Sequence, residues 1–279
     1  MKPEKWKNPN NKLFPYQVGF TGPPHDFDAA PSDFLRISPQ TVGVHGRMLH
    51  VPEYNHRLDQ RFDNFQLLEE FVECMSNNGV DVCGQVGTNW VHAGGKTPKD
   101  IQQFCEQVSD KYETPLHMAG MCLVEGLLEL NVEKIALNSV YYWTDWRDGI
   151  ARFLKQAGFD LLYCGNFVDQ GYYSTQQEVN ELSWIFPGDL AEKSMQYVME
   201  QAPTAEAIVV NGMPNFRNSK GLPERMVSIE VELESKTGKP IVSSDTALYW
   251  RIFKTIGISP SGNHGKLLST LVQNKTGNE

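Results

Sequence analysis

The chain lacks any run approaching the roughly 18 consecutive apolar residues that would cross a bilayer. Its first residues, Met1 to Asn11, are polar and rich in Lys, Asn and Pro, without the apolar stretch of a secretory signal. A soluble, cytoplasmic protein is expected, with residues 1–15 as a loose polar arm. Cysteine is scarce and odd in number: Cys74, Cys83, Cys105, Cys122 and Cys164 form no CxxC pair, which argues against a disulfide framework. Reduced thiols acting as small core residues fit best. The seven histidines show no HExxH or HxH spacing, so no metal is expected. Neither Gly94-Gly95 nor the Gly84 to Gly87 stretch makes a P-loop or a GxGxxG fingerprint, and no nucleotide cofactor is expected. No cofactor of any kind is called for. Long Lys/Arg runs are also missing, and the formal net charge is -9. That balance disfavours nucleic acid or an anionic membrane as the main partner. It leaves room for a local site that holds a small anion.

What is present is ordinary globular composition, 40% hydrophobic and 21% charged over 279 residues. The length accommodates two α/β units of roughly 120 to 140 residues each. Short apolar runs read as strands at 16–21, 81–86, 134–138, 160–164, 207–210 and 240–243. Amphipathic stretches between them predict helices at 65–77, 97–111, 122–130, 146–157, 189–201, 224–237 and 247–256. This alternation implies mostly parallel sheets flanked by helices.

Two passages repeat each other. Val82 to Gly87 precedes Thr114-Pro115-Leu116, and Ile208 to Gly212 precedes Lys239-Pro240-Ile241; Gly87 to Pro115 and Gly212 to Pro240 are each 28 positions apart. After each proline come a short strand, a turn of small and hydroxyl residues, and a helix. We read this as a duplication. The expected fold is therefore α/β, with two pseudo-symmetric Rossmann-like halves. The first half would take 16–118 plus 241–270 and the second 119–240. Ligands of parallel sheets bind beyond the carboxyl ends of strands, so the expected active site is a cleft between the halves, bordered by Gly87-Thr88-Asn89 and Asn211-Gly212-Met213.

At these residues the sequence resembles a known family. Asp81 to Asn89, Ile135 to Tyr141 and Gly238 to Trp250 look like the recurrent blocks of arylmalonate decarboxylases and maleate cis-trans isomerases, a branch of the aspartate/glutamate racemase superfamily. Val18 to Pro24 looks like the first strand and double proline of the decarboxylases. The resemblance covers roughly residues 16 to 260. In most of the superfamily each repeated loop carries a cysteine, and the pair moves a proton on opposite faces of the substrate. Here the first position is Gly87, as in the decarboxylases, and the second, where those keep a cysteine, falls on Gly212. Without either thiol, two-base racemisation and thiol-adduct isomerisation lose their reagents.

What the resemblance leaves is an oxyanion hole. Thr88, Asn89 and Tyr141 are the expected catalytic residues, cradling a carboxylate as it becomes an enediolate. Pro23, Pro24, Gly87, Asn211, Gly212 and Met213 are the expected substrate contacts. Thr88 and Asn89 also suit a turn or helix cap, and Tyr141, beside Tyr142 and Trp143, also suits aromatic packing. Candidates for the proton donor are Cys122, His92, His117 and Tyr142. The leading expectation is a cofactor-independent lyase decarboxylating a small carboxylic acid, cyclic or aromatic ones included. The alternatives are an isomerase, racemase or hydratase with a relocated acid/base, and an inactive carboxylate-binding protein. The expected partner is the small carboxylate alone; the sequence is also compatible with a homo-oligomer.

Overall fold

The computed structural model describes residues 1–22, 24, 28–212 and 215–276. The chain divides into two compact units, one of Met1–Cys122, Leu248–Gly262 and Leu271–Glu279, the other of Leu123–Ala247 and Asn263–Thr270.

The first unit is built on β1 (Tyr16–Thr21), α1 (Ala30–Ile37), β2 (Val42–Arg47), α2 (Leu58–Asp63), α3 (Leu67–Asn77), β3 (Val82–Gln85), α4 (Pro98–Tyr112) and β4 (Leu116–Met118). Its strands lie in the order β2-β1-β3-β4, all parallel. The registers Thr21↔Gln85 and Gln85↔Met118 bring three strand ends to one edge. Every residue of β3 is buried, as expected of a central strand covered on both faces. The start of α4 is set by a capping box, in which Thr97 accepts from the Asp100 amide while the Asp100 carboxylate accepts from that of Thr97, with Pro98 as first helical residue.

A helix begun in the first unit, α5 (Ala119–Glu129), leads to the second. There follow β5 (Lys134–Asn138), α6 (Thr144–Gln156), β6 (Asp160–Gly165), α7 (Gln176–Glu181), β7 (Ile185–Pro187), α8 (Gly188–Gln201), β8 (Ala207–Val210), β9 (Asn215–Arg217), β10 (Pro223–Glu224), α9 (Met226–Thr237), β11 (Ile241–Ser243), α10 (Ser244–Ile256) and α11 (Lys266–Thr276). The main sheet has the order β11-β8-β5-β6, again wholly parallel. Read from the other end this is β6-β5-β8-β11, the same arrangement as β2-β1-β3-β4. The two sheets thus share one topology, with β3 matching β8 and β4 matching β11. A small third sheet, β10-β9-β7, is an addition of the second unit.

Each unit has its own apolar interior. In the first, Phe34 stacks on Phe253 with ring centroids 4.6 Å apart and meets Phe20 and Tyr249 at 5.4 Å. In the second, Phe167, Phe186, Val198, Ile208 and Ile241 belong to one buried cluster.

Several expectations need correction. Residues 1–15 are not a loose arm. Short 3-10 turns at Glu4–Lys7 and Pro9–Asn11 lie against the first unit, where the Trp6 indole donates to the Asn77 carbonyl and Lys2 to that of Val80. Gly79, at φ +79, leaves room for the Trp6 ring, since a Cβ there would fall 2.5 Å from it. Lys12 also pairs with Asp81. Cys122 does not open its helix, which begins three residues earlier at Ala119, and Glu224 belongs to β10 rather than to α9.

Candidate functional site: the strand-end turns

In the first unit the chain leaves β3 at Gln85, whose carboxamide donates to the carbonyls of Val86 and Gly87 and so folds the turn back on the strand. Gly87 has φ +88, a conformation that side chains oppose. A 3-10 turn, Asn89–Val91, follows. Thr88 occupies its cap position, yet its hydroxyl makes no capping bond, and the residue is fully buried. Capping therefore does not account for this threonine. Asn89 is buried too, and a ring nitrogen of His92 lies 3.3 Å from its Oδ1. An amide whose oxygen is engaged by that ring offers its N–H groups as donors. The start of α5 presses close: a Cβ on Gly120 would fall 2.4 Å from Val91.

The proton-donor candidates of this unit differ in kind. His92 is buried beside Asn89. His117, on β4, meets the Thr255 hydroxyl at 2.7 Å, and burial, aided by the Arg251 charge, pushes its ring down to about 3. It is neutral at ordinary pH and a poor acid. Cys122 is buried within α5. Pro24 is buried, whereas Pro23 lies outside the described residues.

The matching turn of the second unit leaves β8 at Val210. Asn211 is fully buried, and its backbone N–H donates to the Asn138 carbonyl. Gly212 has φ +94, so the two repeated glycines share a left-handed conformation. The Gly212 carbonyl accepts a 2.6 Å bond from the Ser244 hydroxyl. Met213 lies outside the described residues.

Beside this turn β5 ends in a strained bend. Val140 has φ +41, rare for a β-branched residue, and is held there by bonds from its own amide to Asn138 Oδ1 and from the Phe167 amide to its carbonyl. The bend presents Tyr141 and Tyr142. Tyr142 is buried; Tyr141 is half-buried and packs on Tyr142, Trp184 and Phe186 at 5.2, 4.9 and 5.8 Å. Aromatic packing thus explains much of Tyr141.

Sequence reasoning missed the buried charged groups of α9 and α10 in this unit. Arg225, next to α9, makes a two-pronged ion pair with Asp245 of α10, at 2.9 and 2.8 Å, with both side chains shut away from water. Glu230 of α9 is buried against Thr246. Buried positions on α9 include Met226, Glu230, Leu233 and Glu234. Two carboxylates on that core-facing stripe were the available signal.

Among the described residues no His/Cys/Asp/Glu group is arranged to hold a metal ion, and no helix is long and apolar enough to cross a membrane.

The sequence matches the arylmalonate decarboxylase family over residues 53–268, well over half of the chain. The chain belongs to the arylmalonate decarboxylase family. Solved structures agree in fold. A glycine-to-cysteine mutant of arylmalonate decarboxylase has a TM-score of 0.69 at 17% identity, covering 91% of this chain and 99% of that one. The maleate isomerase of Pseudomonas putida gives 0.69 at 14%, covering 92% and 99%. The Nocardia farcinica maleate cis-trans isomerase, solved with a covalently bound succinylcysteine intermediate, gives 0.67 at 17%, covering 91% and 98%. No curated protein sequence matches this chain. The family match places the chain in its family, and the solved structures agree with it in fold.

Proposed function

We propose that this protein is a lyase that releases carbon dioxide from a small carboxylic acid. The observation that carries the reading is the Gly87-Thr88-Asn89 turn, in which a buried threonine and a buried asparagine stand together just beyond the end of β3. When the bond from carbon to the departing carboxylate breaks, its electron pair moves onto the substrate's remaining acyl group as an enolate or enediolate. Donors already aimed at that oxygen need no reorganisation and are worth roughly 2.7 to 4 kcal/mol each. A proton then adds to carbon.

The absence of a thiol at both left-handed turns favours this reading over thiol-adduct isomerisation. A solved maleate isomerase holds a succinylcysteine intermediate, whereas the turns here carry Gly87 and Gly212. Tyr141, Asn211 and Gly212 are proposed as further substrate contacts, each to be tested by its own substitution.

The test is a panel of malonates, dihydroxylated ring acids and unsaturated diacids, followed for carbon dioxide release. On the acid that is turned over, Thr88→Ala is expected to lower turnover at least about tenfold, equivalent to about 1.4 kcal/mol. An unchanged rate overturns the role given to this turn. Uptake of solvent deuterium without carbon dioxide release replaces the lyase by an isomerase or racemase.

A further inference from the structure

Glu230 has no part in the chemistry above, yet it is a carboxyl group with almost no exposure in the second unit. Its Oε1 accepts a 2.8 Å bond from the Thr246 hydroxyl, which lies 2.9 Å from that of Ser243. The Ser243 hydroxyl in turn accepts from the Thr246 amide at 3.2 Å. These two hydroxyls bracket Ser244, the residue that holds the Gly212 carbonyl at 2.6 Å.

We propose that Glu230 is a positioning residue for the Asn211–Gly212 turn, fixing the first residues of α10 through Thr246 and Ser243 and, through Ser244 between them, the Gly212 carbonyl. The proposal concerns the same strand end that is assigned a substrate contact above and rests on that reading for its catalytic consequence only.

The surroundings decide which form of Glu230 does this. On its own helix, Glu234 faces the same region and accepts from the Ile241 and Lys266 amides. From α10 comes Asp245, neutralised by Arg225. Gly265, in the segment before α11, comes close enough that a Cβ there would lie 3.3 Å from Glu230 Oε2. No cation pairs with Glu230 itself among the described residues. Burial pushes its carboxyl well above the ordinary 4.5, against the bonds from Ser243 and Thr246 and with the help of the Glu234 and Asp245 charges. A neutral carboxyl group accepts from one hydroxyl and has a proton for the other. Once ionised it can only accept, so the ring of bonds loses a donor.

The sign for stability follows. A carboxyl group whose folded affinity for the proton is raised opposes folding as pH climbs above the ordinary carboxylate range, because the unfolded chain gives up that proton first. Glu230→Gln keeps an acceptor and a donor without charge, whereas Glu230→Leu removes both. In the full chain, Glu230→Gln is expected to keep the near-ultraviolet circular dichroism of the tyrosines packed on Gly212 and to lose the decline in thermal stability expected of the parent as pH climbs above the ordinary carboxylate range. Glu230→Leu is expected to alter that spectrum and, on a turned-over acid, to lower kcat by about fivefold or more with little change in KM. An unaltered spectrum in Glu230→Leu, or the parental alkaline decline persisting in Glu230→Gln, overturns the proposal. If the parent turns over no acid, the lyase reading falls, and the spectrum and the pH dependence of unfolding still decide the role of Glu230.

Discussion

Tyr142 closes over Gly212 so tightly that a Cβ atom there would lie 2.9 Å from its Cε1, with Val140 3.1 Å away on another side. A cysteine at this position meets two obstacles, the buried ring and the left-handed backbone. Gly212→Cys and Gly212→Ala are each expected to cost about 1–2 kcal/mol for the backbone alone, with the ring contact adding to it. Denaturant unfolding measures this; unchanged stability would mean that the turn relaxes freely.

Arg225 and Asp245 form an ion pair whose side chains are almost wholly shut away from water. Removing one partner strands the other's charge, so Asp245→Asn or Arg225→Met is expected to destabilise by about 3–5 kcal/mol. Replacing both together with apolar residues should cost much less. The comparison of the single and double variants by unfolding separates a stranded charge from lost packing.

His117 carries a pH signature. Its folded value, near 3 through burial and the Arg251 charge, lies below the ordinary 6.5. The unfolded chain therefore takes up this proton first as pH falls. The neutral ring's contribution is complete above pH 6.5 and is lost toward acid, with a slope of at most about 1.4 kcal/mol per pH unit. His117→Leu should flatten the stability profile between pH 6.5 and 4.5, above the range where most carboxylates titrate.

The capping box at α4 offers a local test. Thr97→Ala leaves the Asp100 amide without its acceptor at an exposed helix start, and about 1 kcal/mol of stability is expected to go with it. Turnover should not change.

Much of the framework was readable from residue patterns because strong local signals agreed with burial. β1, β5 and β8 run over the expected residues, since Val-rich stretches such as Ala207–Val210 have the continuous apolar character of central parallel strands. β2 was missed: Val-Gly-Val-His-Gly-Arg, on the outer edge of its sheet, carries two glycines and an exposed histidine, which weaken a strand signal. The Met1–Asn11 segment looked unstructured because its order comes from Trp6 settling on Gly79, a contact between residues far apart in sequence. At the candidate site the two glycines and their neighbours were legible through the repeat. The strain at Val140, the pair Arg225–Asp245 and the burial of Glu230 were not, because each depends on what the folded backbone brings together.

The stacking of Phe34 on Phe253 has a consequence for synthesis. Phe253 comes more than two hundred residues after Phe34, so the interior of the first unit stays uncovered until residue 253 has left the ribosome. The nascent chain would carry that apolar face while residues 123–247 are made, so the first unit cannot mature before the second unit's main segment as independent domains do.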